Sequence, residues 1–279
     1  MAATSRTIAV LGAGNMGGAL IGGILKAGVA TRDQIIATTK SPEHAAGLTA
    51  RFGVRASAKA NREAVASSDL IILAVKPQAV PPVLEEVRDL LADRHILLSV
   101  AAAMPIAQIE KAAGRVMPVF RAMPNIPVVV EEGATAVACN AAVTPEQRAL
   151  VEEIFRSVGV VCFVDEEHMD AVTALSGSGP AYIYMVIEAL IAAGLKMGIS
   201  REISTKLSEQ TVLGAAKLVR ETGLHPAVLR DQVITPGGVT ISAIHELERH
   251  GLRAMLISAV ETATNHSRSR ARAAAEKSK

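Results

Sequence analysis

The chain changes character near residue 165. Up to that point, short and continuous apolar runs recur at residues 7–11, 34–37, 70–75, 96–100, 116–122, 134–139 and 160–163. Runs of this length without polar alternation are the pattern of strands covered on both faces. Helical periodicity fills gaps between them at residues 83–91, 106–113 and 145–157. Strands alternating with helices in this way predict an α/β fold built on a parallel, doubly wound sheet of Rossmann type.

Beyond residue 165 the strand signals stop. Helical patterns follow at residues 169–175, 178–197 and 202–222. The second of these has a good start, with Ser178 as a capping hydroxyl and Pro180 early in the first turn. Its apolar residues Ile183, Met185, Val186, Ile187, Leu190, Ile191 and Leu195 run nearly all round the helix. Such a helix must be covered on more than one side. The helical half carries more apolar face than one small domain hides, which predicts subunits packing together.

Candidate chemistry begins at residues 12–17, Gly-Ala-Gly-Asn-Met-Gly, lodged between a strand and a helix. In that setting Gly12 permits the tight turn, Gly14 lets the backbone approach a pyrophosphate, and Gly17 lets helix and strand pack closely. The end of the second strand selects the dinucleotide. An acid there meets a free ribose 2′-hydroxyl, but this chain has Thr38, Thr39, Lys40 and Ser41. One cation and three hydroxyls suit a 2′-phosphate, so NADPH is favoured, with NADH still allowed. The alternative for Lys40 is a solvated loop lysine. The run at residues 70–75 ends in Lys76-Pro77, and Met123-Pro124-Asn125 follows the fifth run. Both are carboxyl ends, where such a sheet binds its ligand. Lys76 either contacts the cofactor ribose or caps the edge, and Asn125 is placed to reach the nicotinamide side.

The most distinctive stretch is Thr235-Pro-Gly-Gly-Val-Thr-Ile-Ser, running into an apolar helical pattern. Gly237 and Gly238 let a turn present its N–H groups at a helix start, a seat for a carboxylate or phosphate. Thr235, Thr240 and Ser242 add hydroxyls. The plainer alternative is a Pro-Gly-Gly turn capped by Thr240.

Composition narrows the classes. Aromatic residues make up 2% of the chain and Trp is absent, which argues against base-stacking platforms and hence nucleic-acid binding. The net charge of +2 is close to neutral. From Ser267 onward, however, Arg268, Arg270, Arg272, Lys277 and Lys279 oppose only Glu276. That Ala/Ser-rich end predicts a basic, disordered tail at residues 267–279. Cys139 and Cys162 share no close spacing or His cluster, which predicts buried thiols in a reducing compartment and no metal site. No secretory signal is visible. The apolar run at residues 181–195 is short for a bilayer and carries Glu188, so no membrane association is expected. These features predict a cytoplasmic protein.

The ordered set GAGNMGGAL, LAVKP, AMPN, ALSGSGPAY and TPGGVTISAIHELE resembles the pyrroline-5-carboxylate reductase family from about Thr7 to Asn265. The last motif is the specific one. The resemblance implies a Rossmann domain at residues 1–165 and a helical substrate-binding and dimerisation domain at residues 166–266. It further implies a homodimer, in many members a ring of dimers, and NAD(P)H-dependent reduction of L-1-pyrroline-5-carboxylate to L-proline. Carried over by motif, Gly12, Ala13, Asn15 and Met16 hold the pyrophosphate, and Thr39, Lys40 and Ser41 meet the 2′-phosphate. Val75, Lys76 and Pro77 lie beside the nicotinamide ribose. Ser176, Gly177, Thr235, Gly237, Gly238 and Thr240 form the substrate residues.

Reducing a C=N bond needs a hydride donor, a grip on the carboxylate, and a group that orients or protonates the ring nitrogen. It needs neither a metal nor a His–Asp pair, so His245 is read as structural. Thr240 is the candidate donor, acting by hydrogen bonding and placement since its hydroxyl does not titrate near neutrality. Two rivals share these residues. One is another NADP-linked imine or 3-hydroxyacid reductase, whose central helix more often carries a Lys; here none appears until Lys196. The other is a dinucleotide-binding protein without catalysis.

Overall fold

The computed structural model describes residues 6–276, with side chains through residue 271. Its sheet has eight strands: β1 (Ile8–Leu11), β2 (Ile35–Thr39), β3 (Arg55–Ala58), β4 (Leu70–Leu73), β5 (Ile96–Ser99), β6 (Val119–Met123), β7 (Gly133–Cys139) and β8 (Gly159–Phe163). They lie in the order β3-β2-β1-β4-β5-β6-β7-β8. Between them run α1 (Asn15–Lys26), α2 (Pro42–Phe52), α3 (Asn61–Ala66), α4 (Val80–Val87), α5 (Ile106–Ala113) and α6 (Pro145–Arg156).

The apolar runs became the centre of the sheet because both of its faces are covered. Ile8 and Val10 of β1 enter one core cluster, while Ala9 and Leu11 enter the other. Leu70 and Ile72 of β4 divide from Ile71 and Leu73 in the same way. All of these side chains are fully buried. The strand order reverses between β1 and β4, which opens a crevice beyond their carboxyl ends.

Two features depart from the expected sheet. β3 (Arg-Ala-Ser-Ala) is an additional edge strand with alternating exposure, so it carries no apolar run. β7 runs antiparallel to β6, pairing Arg121 with Ala138 and Met123 with Ala136. A parallel return needs a crossover of a dozen or more residues; only Pro124, Asn125, a 3₁₀ turn (Ile126–Val130) and two further residues link the two strands. β6 also begins at Val119, later than the apolar run, with Val116 80% exposed.

Compact units divide the chain between Ser178 and Gly179, and the first unit takes back the chain from Ala263 onward. Its last stretch is α7 (Met169–Val172) followed by a π-helical turn (Thr173–Gly177). Ser178 does not act as an N-cap. It has helical dihedrals, and its N–H donates to the Thr173 carbonyl five residues back at 2.9 Å. Pro180 is therefore accommodated by widening the helix to a π register rather than by starting a new one.

The second unit holds α8 (Gly179–Lys196), α9 (Arg201–Thr222), α10 (Pro226–Gln232), α11 (Val239–Arg249) and the start of α12 (Leu252–Glu276). α8 and α9 approach closely where Gly194 meets Ser204, since a Cβ on Gly194 would run into the serine side chain. Within the single chain, no residue of α8 is fully buried; Ile183 is 46% and Leu190 42% exposed. The expected cover on several sides is therefore not supplied within the single chain. The helical stretch from Glu166 to Lys196 is 31 residues long, apolar enough and long enough to cross a membrane. Shortness of the apolar run is thus no bar to a span.

Two smaller expectations change as well. α12 continues past Ser267 to Glu276, and the Ser267 hydroxyl donates to Asp170 at 2.7 Å. The expected disordered tail is helical this far, as its many alanines and arginines favour; residues 277–279 lie outside the described ones. The thiols are free, but only Cys139 is partly buried, while Cys162 sits exposed on β8. Burial pushes the Cys139 thiol pKa up, against the opposing charge of Arg148.

Candidate active site

A cavity of about 520 Å³ opens beyond the carboxyl ends of β1, β2 and β4. Its walls are Gly12, Ala13, Gly14, Asn15, Thr39, Lys40, Ser41, His44, Ala74, Val75, Lys76 and Ala79. The turn after β1 is tight. Gly12 has φ +78°, and a Cβ there would run into the Val75 side chain. Its N–H and that of Ala13 both donate to the Thr38 carbonyl, at 3.1 and 2.8 Å. The Thr38 hydroxyl donates onward to Asn61 Oδ1 at 2.7 Å, and Asn61 Nδ2 donates to Glu86 at 2.8 Å. A relay across three elements thus fixes the turn from behind.

α1 begins directly from this turn with Gly14 as its N-cap, without a side-chain cap and with no acid in its first turn. Its first N–H groups lack partners within the helix and favour an anion. This cradle fits a pyrophosphate: a Cβ-free backbone approach, open N–H groups and no competing carboxylate. Gly17 and Met16 do not line the cavity. Gly17 is buried where a Cβ would lie 3.1 Å from Val10, and Met16 packs partly buried against the core. Val75 and Lys76 line the wall, as does Ala79 of the following 3₁₀ turn (Pro77–Ala79), whereas Pro77 itself does not.

The loop from β2 to α2 divides its duties. Thr39 is 9% exposed and donates its hydroxyl proton to the Ser41 carbonyl at 2.8 Å, so it shapes the loop. Ser41 caps α2 by accepting from the His44 N–H at 3.3 Å, and its hydroxyl also bonds the Glu43 carboxylate in the first turn. Lys40 is exposed and forms no ion pair among the described residues. Lys40, Ser41 and the N-terminus of α2 thus share one corner of the wall, with Glu43 in the first turn of that helix. His44 is a wall residue that sequence reasoning missed. Its Nε2–H donates to the Ala13 carbonyl at 3.1 Å, tying α2 to the glycine turn. Its only advance signal was its place three residues after the capping Ser41.

Asn125 lies outside the cavity. The residue is 9% exposed and its side chain is bonded at both ends, donating to the Ser176 carbonyl at 3.0 Å and accepting from the Ala134 N–H at 2.8 Å. Ser176 and Gly177 are in the π-helical turn, and the Ser176 hydroxyl donates to the Val172 carbonyl at 3.2 Å.

In the second unit, Gly237 has φ +68° and the Gly238 N–H donates to the Thr235 carbonyl at 3.0 Å, closing the turn. A Cβ on Gly238 would run into Thr235 Oγ1. Gly238 itself is the N-cap of α11, with no side-chain cap and no acid in the first turn. Thr240 is the second residue of that helix, so it is not the cap; it is half-buried. The open N–H groups of Val239, Thr240 and Ile241 face no internal acceptor of the helix, which suits a carboxylate. His245 shares a shallow groove with Ile241, Ser242, Ile244 and Glu248, one turn further on.

Asp165, Glu167 and His168 bring potential metal-ligand atoms within 4.8 Å of one another. All three are exposed, and exposed acidic groups of this kind commonly occur without an ion.

Comparison with known proteins bears on both units. Residues 166–270 match a family described as pyrroline-5-carboxylate reductase dimerisation. Residues 7–103 match one described as NADP oxidoreductase, coenzyme F420-dependent. A pyrroline-5-carboxylate reductase of Methanosarcina acetivorans is 42% identical over 95% of this chain and 97% of its own. The solved structure of a pyrroline-5-carboxylate reductase from Coxiella burnetii superposes with a TM-score of 0.91 at 36% identity, covering 95% and 98% of the two chains. The Plasmodium falciparum pyrroline carboxylate reductase, solved with NADP bound, superposes with a TM-score of 0.85 at 31% identity over 96% and 98%.

Proposed function

The chain belongs to the pyrroline-5-carboxylate reductase family, and on that premise we propose that it reduces L-1-pyrroline-5-carboxylate to L-proline with NADPH. One observation carries the reading. The glycine cradle and the uncapped start of α11 are both complete in a chain collinear with known reductases along nearly its whole length. Bound NADPH supplies a hydride to the imine carbon, while the ring nitrogen gains a proton.

The chain's own residues supply the rest. Gly12, Ala13, Gly14 and Asn15 seat the pyrophosphate, supported by the open N–H groups of α1. Met16 and Gly17 serve that seat through packing. Lys40 and the Ser41 hydroxyl hold the 2′-phosphate and set the preference for NADPH, while Thr39 holds the loop that carries them. Val75 and Lys76 flank the ribose, with Pro77 ending the strand. The N–H groups at the start of α11 grip the substrate carboxylate, with Thr235, Gly237 and Gly238 shaping the turn. Thr240 donates its hydroxyl to the ring nitrogen, orienting an imine that is readily protonated in water. Ser176 and Gly177 are further substrate residues.

The chain assembles as a homodimer through its helical half, with dimers joining into a larger ring. A second copy, rather than lipid, covers α8, since residues 166–270 match a dimerisation family. Cytoplasmic residence fits a small, polar substrate.

A panel with purified protein and NADPH tests the activity. Turnover of the cyclic imino acid with none of a 3-hydroxyacid is expected. The reverse pattern, or NADPH binding without turnover of any imine, refutes it.

A further inference from the structure

Pro180 creates a problem that its own helix does not solve. In α geometry the Ser176 carbonyl would accept from the N–H four residues on, which is residue 180. Proline has no N–H, and its ring clashes with that same carbonyl. The helix responds by widening to the π register over Thr173–Gly177. The displaced carbonyl is partly buried and takes its donor from elsewhere, since a carbonyl shielded from water without a partner is costly.

Asn125 provides that donor from 51 residues away. It follows β6 by two positions and precedes a 3₁₀ turn, yet its side chain does not cap that turn. Instead Nδ2 donates to the Ser176 carbonyl at 3.0 Å, while Oδ1 accepts from the Ala134 N–H at the start of β7 at 2.8 Å. A carbonyl only accepts and an N–H only donates, so the amide has one orientation. Met123, the last residue of β6, supports the same turn. A Cβ on Gly177 would lie 2.6 Å from Met123 Cε, so the turn rests directly on the strand end.

We propose that Asn125 is a positioning residue for the substrate: it locks the π-helical turn carrying Ser176 and Gly177 to the end of the cofactor-binding sheet. This rests on the reading that Ser176 and Gly177 meet the substrate. It replaces the expectation that Asn125 touches the nicotinamide, because both ends of its amide are already bonded to backbone. The turn it holds is the last segment of the first unit before the chain enters the second at Gly179.

Asn125→Asp tests this with little change of shape. The variant keeps an acceptor for the Ala134 N–H but turns a carboxylate oxygen toward the Ser176 carbonyl. Misplacement of a positioned group by about 1 Å costs on the order of 100-fold, so kcat/KM for the imine should fall roughly 10- to 100-fold. The loss should appear mainly in the imine KM, with the NADPH dissociation constant, measured by fluorescence, unchanged within about twofold. A matching rise in the NADPH constant means Asn125 contacts the cofactor and overturns the proposal. A lowered melting temperature with unchanged KM and kcat makes the bond merely structural and also overturns it. Asn125→Ser is read in the same way if the Asp variant does not fold, and failure of both to fold counts against a positioning role. Wild-type protein inactive on the imine defeats the functional reading and this proposal together. Active wild type with an unaltered, folded variant defeats this proposal alone.

Discussion

Replacing Thr240 with alanine separates a catalytic hydroxyl from a structural one. As an N-cap, Thr240 would contribute about 1 kcal/mol of stability that alanine loses. The cap of α11 is Gly238, however, and Thr240 is already inside the helix as its second residue. Alanine is the better helix former there by up to about 0.7 kcal/mol, so the melting temperature should hold or rise slightly. Catalysis should move the other way. Losing one well-placed donor at the reacting centre lowers kcat/KM for the imine by roughly 10- to 1000-fold. That corresponds to about 1.4–4 kcal/mol of transition-state stabilisation. NADPH binding should barely change, since Thr240 is not part of the cofactor cavity wall. Thr240→Ser keeps a hydroxyl and should retain much more activity than alanine. Steady-state kinetics and melting curves on both variants decide the matter. Near-normal turnover in Thr240→Ala, with or without a lowered melting point, removes the hydroxyl from the mechanism.

Other consequences are equally specific. Lys40→Ala should raise the NADPH KM more than the NADH KM; for an exposed, charge-assisted contact the loss is about 1 kcal/mol, roughly fivefold. Equal effects on both cofactors would show that the loop does not read the 2′ position. Leu190 is 42% exposed in the single chain, so Leu190→Asp is tolerated unless a second copy covers it. Sedimentation should show loss of the dimer, and an unchanged size with full activity would place α8 in solvent. His95 is fully buried, with Nδ1 accepting from the Ala92 N–H and Nε2–H donating to the Val65 carbonyl. Burial, aided by the nearby Arg94 charge, holds its pKa below the usual 6.5. The stability this contributes is complete above 6.5 and is lost as pH falls from there toward the lowered folded value. Melting temperature should therefore decline on acidification through that window, and His95→Gln should flatten the decline; parallel curves would refute it.

The parts legible in the sequence were those with a local cause. Ile-Ala-Val-Leu and Leu-Ile-Ile-Leu announced β1 and β4 because strands buried on both faces leave no polar alternation. The glycine turn was legible because a strand, a turn and a helix meet there within a few residues. β3 was not, since an edge strand of Arg, Ala and Ser carries no apolar signal. The direction of β7 was hidden in its apolar pattern, which reads the same either way, although the short link from Met123 to Gly133 implied it. Ser178 looked like a cap because Ser-x-Pro usually opens a helix; only the π register reveals it as continuous helix. Thr39, Lys40 and Ser41 were found together, but their different roles depend on who donates to whom. His44, Asn61 and the Asn125 bond to Ser176 depend on contacts between distant segments, which no local pattern records.

The carboxylate seat at the start of α11 is most directly tested by comparing two substrates that differ only there. L-1-pyrroline-5-carboxylate and 1-pyrroline share the ring and the C=N bond, and only the first carries an anion for the open N–H groups. Charge-assisted hydrogen bonds contribute about 1.5–3 kcal/mol each, so kcat/KM followed by loss of NADPH absorbance should fall by roughly 100-fold or more for 1-pyrroline. The NADPH dissociation constant should be the same in both assays. Equal kcat/KM for the two imines would mean that α11 does not hold the carboxylate.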